Sequence, residues 1–318
     1  MIEQKLAAES LYSLIEGFFR NEFATDNPLI TQAVQRMLAA GGKRLRPRMT
    51  LLAAEAGGAQ PHVHLPLAAY MELIHVATLI HDDVVDKADT RRGVNATAVD
   101  YGNRISVLAG DYLFAWIFKN VTAQYPAPIP HILSATLADI CDGEVLQLRA
   151  LANLDLPLSG YVDIVTKKTA ALFAASAECG AIMAGTSPEW TAALRDYGLY
   201  YGIAFQMKDD LLDMTADETS IGKPVGNDLR EHKMTIPLIL ALERGDPEFR
   251  ARVERFYGGA GEGEIAGIIA EIGRQGGLDG TREQITQYAE RAKLSVAPLG
   301  GIRARGVLAG LADALTRD

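Results

Sequence analysis

The sequence predicts an all-α fold. Apolar residues recur at helical spacing along nearly the whole chain of 318 residues, and no segment has the strict alternation expected of a strand. Hydrophobic residues make up 48% of the chain, which is enough for a sizeable core. The sequence contains neither a domain-sized linker nor an internal repeat of 20–50 residues. We therefore expect residues 1–318 to form one domain, a bundle of about a dozen helices.

The predicted helices follow one another with short connections. Residues 3–23 form an amphipathic pattern, and a second pattern over 28–39 ends before a Gly-Gly turn. Ser187 before Pro188 is a typical helix start, whereas the three prolines within 125–130 predict a connector. The remaining helical patterns cover roughly 46–57, 64–87, 104–124, 130–150, 160–185, 188–217, 233–244, 262–274, 280–296 and 302–316.

Composition excludes several classes of protein. The net charge is −9 and no basic tail is present, so we expect no nucleic-acid partner. Two cysteines, Cys141 and Cys179, make no disulfide framework and fit a cytoplasmic protein. The first residues lack the features of a signal peptide, and no stretch reaches 18 uncharged apolar residues. We therefore expect a soluble cytoplasmic protein without a transmembrane segment.

Two predicted helices carry the spacing Asp-Asp-x-x-Asp near their ends. Carboxylates one helical turn apart repel each other by roughly 0.2–0.5 kcal/mol per pair, so a bound cation is the natural compensation. Oxygen ligands alone favour Mg²⁺, which completes its coordination with water and substrate phosphate. Two such motifs predict several Mg²⁺ ions on a polyphosphate; the alternative is two solvated acidic helix ends. The aspartates are Asp82, Asp83, Asp86, Asp209, Asp210 and Asp213.

Basic residues are concentrated in three places, within 41–48, at 91–92 and at 167–168. Lys43, Arg44 and Arg46 follow the Gly-Gly turn at 41–42, and Arg91 and Arg92 follow the first acidic motif. Guanidinium groups bind phosphate oxygens through paired hydrogen bonds. Together with the aspartates, these clusters predict a diphosphate site, although each cluster alone fits a solvated basic helix start.

Four further residues are candidates for the same site, and two of them lie on the helices of the acidic motifs. His75 lies two turns before the first acidic motif, and Gln206 lies three residues before the second. Lys168 and Thr169 place a cation and a hydroxyl in an alanine-rich helical segment. Each of the four also fits an ordinary structural role in a packed helix.

Taken together, these motifs resemble those of the trans-prenyltransferases, the polyprenyl diphosphate synthases. The segments are GGKRLRP, LIHDDVVD with RRG, KTAALF, FQMKDDLLD and GKPVGNDLREHKMTIP, in this order between about residues 41 and 237. The resemblance implies an all-α bundle around a deep central cavity and a homodimer. It also implies isopentenyl diphosphate and an allylic prenyl diphosphate as substrates, and Mg²⁺ as cofactor.

The resemblance implies roles for individual residues, position by position. The six aspartates would hold Mg²⁺ on the allylic diphosphate, and Thr169 and Gln206 would lie near the developing cation. One departure is visible, because His232 stands where the family commonly has glycine, next to Lys233. The allylic diphosphate would contact Arg91, Lys168, Lys223 and Lys233, and isopentenyl diphosphate would contact Lys43, Arg46, His75 and Arg92.

The implied reaction is an ionisation followed by an addition. Metal ions and cationic side chains stabilise the departing diphosphate, which leaves an allylic carbocation. The double bond of isopentenyl diphosphate attacks this cation, and the resemblance assigns removal of the proton to the diphosphate itself. A dry pocket is needed so that water does not trap the cation.

Product length depends on the side chains below the first acidic motif. Thr78 and Ala77, four and five residues before it, are small where short-chain members tend to carry aromatic residues. A long chain is therefore expected to pass, giving a product of five or more isoprene units. The alternative is that Phe114 or Trp116 on the next helix blocks growth early, and the product is of geranylgeranyl or farnesyl length.

Three other functions compete with this interpretation. A class I terpene cyclase also ionises allylic diphosphates but has no need of Lys43, Arg46 and Arg92. A di-iron carboxylate bundle requires two Glu-x-x-His motifs, and the sequence has one, at Glu72–His75. A noncatalytic subunit of a heteromeric synthase is expected to have lost metal or diphosphate residues, and both acidic motifs are intact.

Overall fold

The computed structural model describes residues 12–21, 23, 25–91, 93–215, 225–244, 247–259, 261–299 and 303–317. Over these residues the fold is helical apart from short connections and one small β-ribbon, which confirms the all-α prediction. No helix within these ranges is both long and apolar enough to cross a membrane. Two predicted site residues, Arg92 and Lys223, lie outside the described residues.

Residues 12–21 are helical, and fifteen further α-helices and a β-ribbon follow them along the described chain. The ribbon consists of β1 (Thr90–Arg91) and β2 (Val94–Asn95), which are antiparallel. A π-helical segment, Thr166–Ala170, joins α7 to α8, and three short 3₁₀ segments occur elsewhere. The α-helices are α1 (Pro28–Ala39), α2 (Leu45–Ala56), α3 (Leu65–Val85), α4 (Thr97–Tyr101), α5 (Asn103–Gln124), α6 (Pro128–Arg149), α7 (Leu158–Val165), α8 (Ala171–Met183), α9 (Pro188–Thr215), α10 (Asn227–Arg230), α11 (Ile236–Arg244), α12 (Pro247–Tyr257), α13 (Ile265–Arg274), α14 (Gly277–Ser295) and α15 (Arg303–Asp313).

The chain divides into two compact units, each made of three separate segments. The first unit comprises Met1–Ala135, Ala175–Arg195 and Leu299–Val307, and the remaining residues form the second. The expectation of one domain over residues 1–318 therefore stays a prediction.

Helix α3 lies in the core of the first unit, packed against α2 and α5. It is apolar on nearly all sides, which is the pattern of a helix buried all round. Met71, Leu73 and Ile74 are fully buried, and so is Ile80 near its C-terminal end. The first acidic motif follows where this buried stretch ends, so the core fixes its position.

Helix α11 has the corresponding place in the second unit, where it packs against α13 and α14. Its first six residues, 236–241, are buried. A Cβ on Gly277 would lie 2.2 Å from the carbonyl oxygen of Pro237, so only glycine allows α14 this close. The packing of α11 fixes the segment just before it, residues 233–235, which the sequence had predicted as the start of the helix.

Other boundaries also differ from the predictions. The pattern over 160–185 is interrupted by the π-helical segment, and α4, α10, α12 and the ribbon were not predicted. The prediction that residues 125–130 form only a connector was wrong, because α6 begins at Pro128 and includes Pro130. Prolines are tolerated there because the first helical N–H groups have no intrahelical partner. The predicted start of α9 is confirmed: Ser187 Oγ accepts a hydrogen bond of 3.3 Å from Trp190 N–H.

Candidate active site

The first acidic motif spans the C-terminal end of α3. Asp86 is the residue after the helix, and its N–H donates to the carbonyl oxygen of Asp82 at 2.8 Å. Asp83 is fully buried, and its Oδ1 accepts hydrogen bonds from Arg91 Nε at 2.7 Å and Nη2 at 2.5 Å. The β-ribbon, in which Arg91 pairs with Val94, supplies this arginine. Asp82 and Asp86 are half-buried, so a ligand can reach them where it cannot reach Asp83.

The basic cluster at 43–46 contains residues of different kinds. Lys43 is exposed, whereas the side chain of Arg44 is 1% exposed. Arg44 donates to Glu16 at 2.7 Å, to Glu72 at 3.0 Å and to the carbonyl oxygen of Leu38 at 2.6 Å. This arginine therefore has a structural role. Its pairing with Glu72 also weighs against the di-iron alternative, because the glutamate of the Glu-x-x-His motif is committed to a buried ion pair.

The remaining predicted substrate residues of the first unit lie on α2 and α3. Arg46 in the first turn of α2 and His75 in the middle of α3 are both half-buried. Ala77 is fully buried, and Thr78 Oγ1 donates to the carbonyl oxygen of His75 at 2.8 Å. Because the Thr78 hydroxyl is bonded within its own helix, its methyl group is the part of the side chain that can contact neighbouring groups.

The two aromatic residues proposed as floors lie at different levels along α3. The Phe114 ring is 5.8 Å from the His81 ring, level with the acidic motif. The Trp116 ring meets Tyr70 at 5.7 Å and Phe23 at 5.3 Å, both edge to face. Since a helix rises 1.5 Å per residue, Tyr70 lies about 18 Å along α3 from the acidic motif. Trp116 is therefore the deeper of the two candidates.

In the second unit, the π-helical segment carries Lys168 and Thr169. Its geometry depends on a close approach of α6, because a Cβ on Gly143 would lie 2.6 Å from the Lys168 backbone nitrogen. The same face of α6 supplies Gln147, which accepts from Lys168 Nζ at 2.5 Å, and Glu144, which forms an ion pair with it. π-Helical turns are often found at functional sites. This one contains Lys168 and Thr169, so their side chains leave the helix in directions that differ from those of a regular α-helix.

A chain of hydrogen bonds joins the π-helical segment to the second acidic motif on α9. Thr169 Oγ1 donates to Gln206 Oε1 at 2.9 Å, and Gln206 Nε2 donates to Asp210 Oδ1 at 2.9 Å. Tyr161 O–H donates to Asp210 Oδ2 at 2.6 Å. A Cβ on Gly202 would lie 2.6 Å from Ala170 Cα, so this glycine lets α9 approach closely enough for the chain to form.

These residues surround a cavity of about 110 Å³ within the second unit. Five predicted site residues line it: Lys168, Thr169, Gln206, Asp210 and Lys233. The sequence reasoning had missed the four polar residues that line it as well. Asp228 and Thr235 stood in a quoted motif and could have been found there, whereas Gln147 and Tyr161 had no sequence signal.

Carboxyl groups crowd one side of this cavity. Burial raises the pKa of Asp210 to about 6, although hydrogen bonds from Tyr161 and Gln206 act in the opposite direction. Burial, followed by repulsion from Asp213 and Asp210, holds the pKa of Asp228 well above its usual range, while Lys233 acts against this. Crowded carboxylates of this kind are suited to a divalent cation, which would offset their repulsion.

Not every predicted ligand is gathered into a site. Among the described residues, no three Asp, Glu, His or Cys side chains come close enough together to hold a metal ion by themselves. Mg²⁺ commonly takes only one or two carboxylates and completes its shell with water and phosphate, so this arrangement still fits it. In the second motif Asp209 is exposed, and Asp213 Oδ2 accepts from the Asp228 backbone N–H at 3.1 Å.

Comparison with known proteins gives concordant results. Residues 27–272 match the sequence profile described as polyprenyl synthetase. The chain is 39% identical over 299 residues to an octaprenyl diphosphate synthase of Escherichia coli, covering 92% of each protein. It is 38% identical over 288 residues to a short chain isoprenyl diphosphate synthase of Methanothermobacter thermautotrophicus, covering 89% of each. A crystal structure of a polyprenyl synthase from Caulobacter crescentus, complexed with calcium and isoprenyl diphosphate, superposes with a TM-score of 0.91 at 39% identity. That superposition covers 99% of this chain and 96% of the other.

Proposed function

Because the chain belongs to the polyprenyl synthetase family, we propose that it condenses isopentenyl diphosphate head to tail with an allylic prenyl diphosphate. The product is a trans-polyprenyl diphosphate of five or more isoprene units. The family resemblance inferred from the motifs is confirmed by the comparisons. The observation that carries the proposal is the cavity of the second unit, where two lysines, a threonine and a glutamine meet an aspartate of the second acidic motif.

The cavity side chains have complementary roles. Lys168 and Lys233 provide positive charge for the leaving diphosphate, and this charge matters most as the carbon–oxygen bond breaks. Both lysines are paired with glutamates in this structure, Lys168 with Glu144 and Lys233 with Glu231. Those glutamates hold the ammonium groups in place, and an incoming diphosphate competes with them. Thr169 and Gln206 present dipoles to the developing carbocation.

Mg²⁺ is the cofactor of the proposed reaction, and it supplies charge neutralisation of the departing diphosphate. Asp82 and Asp86 of the first motif and Asp209 and Asp213 of the second are its proposed ligands. Two observations support a divalent cation: carboxylates crowd beside the cavity, and the Caulobacter crescentus relative was crystallised with calcium and isoprenyl diphosphate.

The middle aspartates of the two motifs have a different part in the proposal. The Asp83 carboxylate is held by Arg91, and both oxygens of Asp210 accept hydrogen bonds from Tyr161 and Gln206. We assign them to orienting the motif, although the sequence had predicted all six aspartates as metal ligands. Of the six, these two are the ones whose side chains are buried.

The first unit supplies the proposed site for isopentenyl diphosphate. Lys43 is exposed, and Arg46 and His75 are half-buried, so solvent reaches all three residues. Arg92 belongs to the same proposed set, and Lys223 to the allylic diphosphate set. Arg91 has a double role in this assignment, as the partner of Asp83 and as a contact for the allylic diphosphate.

The length of the prenyl product depends on how far along α3, measured from the acidic motif, the first bulky side chain lies. The residues at 77 and 78 place no bulky side chain in the first turn below the acidic motif, and the Phe114 ring lies beside the His81 ring. We assign the floor to Trp116 with Tyr70. The chain resembles an octaprenyl and a short chain synthase almost equally, so overall identity does not decide product length.

The proposed enzyme is a single-domain cytoplasmic homodimer. The family resemblance supports the dimer, and the composition supports the compartment. Light scattering on the purified chain tests the assembly, since a monomeric mass across the working concentration range contradicts it.

A product assay tests the function. The purified chain receives Mg²⁺, labelled isopentenyl diphosphate and, in separate reactions, primers of two, three and four isoprene units. We expect a ladder that ends at five or more units and that disappears when EDTA removes the metal. A ladder that stops at three or four units contradicts the long-chain assignment. A folded chain that extends no primer contradicts the activity and leaves the noncatalytic subunit as the surviving alternative.

The variant Ala77→Phe tests the tunnel. An aromatic ring one turn below the acidic motif should shorten the product by at least one isoprene unit, because it occupies the space that the chain needs. Ala123→Phe adds the same ring at an exposed position of α5 and serves as the control. Identical product lengths for the wild type and Ala77→Phe would rule out this path for the chain.

A further inference from the structure

His232 has a backbone conformation that few residues with a side chain adopt. Its φ is +56°, in the left-handed region that favours glycine. It follows the last turn of α10, where the Lys233 N–H bonds to the Asp228 carbonyl oxygen at 2.9 Å. The His232 N–H bonds to the Leu229 carbonyl oxygen at 3.1 Å. This pair of bonds is the Schellman ending of a helix, which usually has glycine at the left-handed position.

The imidazole ring compensates for this conformation by packing on α12. It lies 4.7 Å from the Tyr257 ring and 6.4 Å from the Phe256 ring, measured between centroids. These are the last two residues of α12, and Phe256 is buried. A glycine at 232 would keep the turn but would lose both ring contacts. The backbone conformation at residue 232 therefore does not require a side chain, and the contribution of the His232 side chain is its packing against α12.

The backbone of the same residue makes a second connection. The His232 carbonyl oxygen accepts a hydrogen bond of 2.9 Å from the Ala152 N–H, and Ala152 itself has a φ of +55°. Ala152 follows the end of α6, the helix that carries Glu144 and Gln147, the partners of Lys168. One residue thus ties the segment 231–235 to α12 through its ring and to the end of α6 through its carbonyl group.

The segment fixed in this way forms one wall of the cavity. Lys233, Met234 and Thr235 line it directly after His232, and the Thr235 hydroxyl is buried with no hydrogen-bond partner among the described residues. A small rotation of the turn at 232 would move the Lys233 backbone and with it the ammonium group that faces the proposed diphosphate. Because a misplacement of about 1 Å can cost about 100-fold in rate, the anchor of this turn matters for the reaction.

We propose that His232 is a positioning residue for Lys233: its ring, packed on Tyr257, holds the segment 231–235 in place so that the Lys233 side chain meets the allylic diphosphate. The inference rests on the proposed function, because it assumes that Lys233 binds this group. The role belongs to the ring as a packing surface and requires no change in its protonation.

Steady-state kinetics on the full chain test the proposal. In His232→Gly the turn is retained and the ring is lost, so we expect the KM for the allylic diphosphate to rise roughly tenfold. The kcat should fall as well, because the Lys233 charge acts most strongly as the carbon–oxygen bond breaks. The KM for isopentenyl diphosphate should stay within about twofold of the wild type. His232→Phe restores a ring and should recover most of the affinity. A purely structural role would lower the thermal midpoint without this split between the two substrates.

The partner ring provides an independent route to the same answer. Tyr257→Leu should reproduce the effect of His232→Gly, and the double variant should be no worse than either single variant, because both remove one contact. Two variants serve as matched controls. Tyr257→Phe keeps the ring contact with His232, and Ala152→Gly keeps the turn at residue 152. Both should have the KM values of the wild type. If His232→Gly does not fold, Tyr257→Leu alone decides.

Three results would overturn the positioning role. His232→Gly could bind the allylic diphosphate as well as the wild type, the two single effects could multiply in the double variant, or His232→Phe could fail to recover affinity. A wild-type chain that extends no primer overturns the proposed function as well. An active wild type with unaffected variants overturns only the role of His232.

Discussion

The two acidic motifs share a spacing but differ in how the middle aspartate is compensated. Asp83 in the first unit is fully buried and paired with the guanidinium group of Arg91. Asp210 in the second unit is 4% exposed, and its hydrogen bonds come from Tyr161, Gln206 and the Ile236 N–H, which are all neutral. A repeated sequence motif therefore does not imply a repeated electrostatic environment.

The difference has a physical consequence. A cation next to a buried carboxylate recovers part of the hydration energy that burial removes, whereas neutral donors recover less. In agreement with this, burial raises the pKa of Asp210 to about 6 despite three hydrogen bonds. Ionisation of Asp210 therefore carries a desolvation cost that the Arg91 cation partly offsets at Asp83. Stability measurements in the absence of metal can separate the two cases.

The largest effect is expected from removing the cation of the first motif. Arg91→Met removes the guanidinium group that pairs with the buried Asp83 carboxylate, so the free energy of unfolding should fall by about 3–5 kcal/mol. Urea denaturation in EDTA measures it. Arg36→Met removes the more exposed ion pair of Arg36 with Asp100 and should cost less than about 1 kcal/mol. Equal losses for the two variants would mean that Asp83 gains little from Arg91.

The helices and the positions of the two acidic motifs could be predicted from the sequence, but the partners of the charged side chains could not. The bounds of α1 and the placement of both acidic motifs near helix ends agree with the periodicity, because burial of apolar faces is encoded locally. The burial and pairing of Arg44 cannot be predicted from neighbouring residues, because its partners Glu16 and Glu72 are each 28 residues away in sequence. The motif GGKRLRP therefore looked uniformly basic, although one of its charges is internal.

The π-helical segment illustrates the same limit. Lys168 and Thr169 were identified from their sequence, but the pattern over 160–185 predicted an uninterrupted helix. The interruption is associated with two close helix approaches, at Gly143 and Gly202, which come from different parts of the chain. Tertiary packing therefore decides where these two side chains point. The same holds for Tyr161, whose importance is visible only once Asp210 lies beside it.

A smaller effect is expected when a neutral partner is removed from the second motif. Tyr161→Phe deletes the hydrogen bond of 2.6 Å to Asp210 Oδ2, and bonds to charged groups contribute about 1.5–3 kcal/mol. Tyr197→Phe is the matched control, because its buried hydroxyl donates to the neutral carbonyl oxygen of Leu308 and should cost about 1 kcal/mol. Chemical denaturation in EDTA distinguishes them. A Tyr161→Phe loss no greater than the control would indicate that Asp210 is protonated in the metal-free protein.

The smallest change in the free energy of unfolding is expected from Asp210→Asn, and the sign of this change is informative. A raised carboxyl pKa means that the ionised form is disfavoured in the folded state, so the wild type loses stability as pH rises through about 6. Removing this charge should leave the free energy of unfolding at pH 7 in EDTA unchanged or raise it by about 1 kcal/mol.

The advantage of Asp210→Asn should shrink toward pH 5, where the wild-type carboxyl is largely protonated. Asp83→Asn is the contrasting variant, and it should lose at least about 1.5 kcal/mol at pH 7, because the pair with Arg91 is broken. Parallel losses at both positions would contradict the distinction between the two motifs. Opposite signs would show that one spacing occurs in two electrostatic environments, one in which a protein cation compensates the buried carboxylate and one in which only neutral donors contact it.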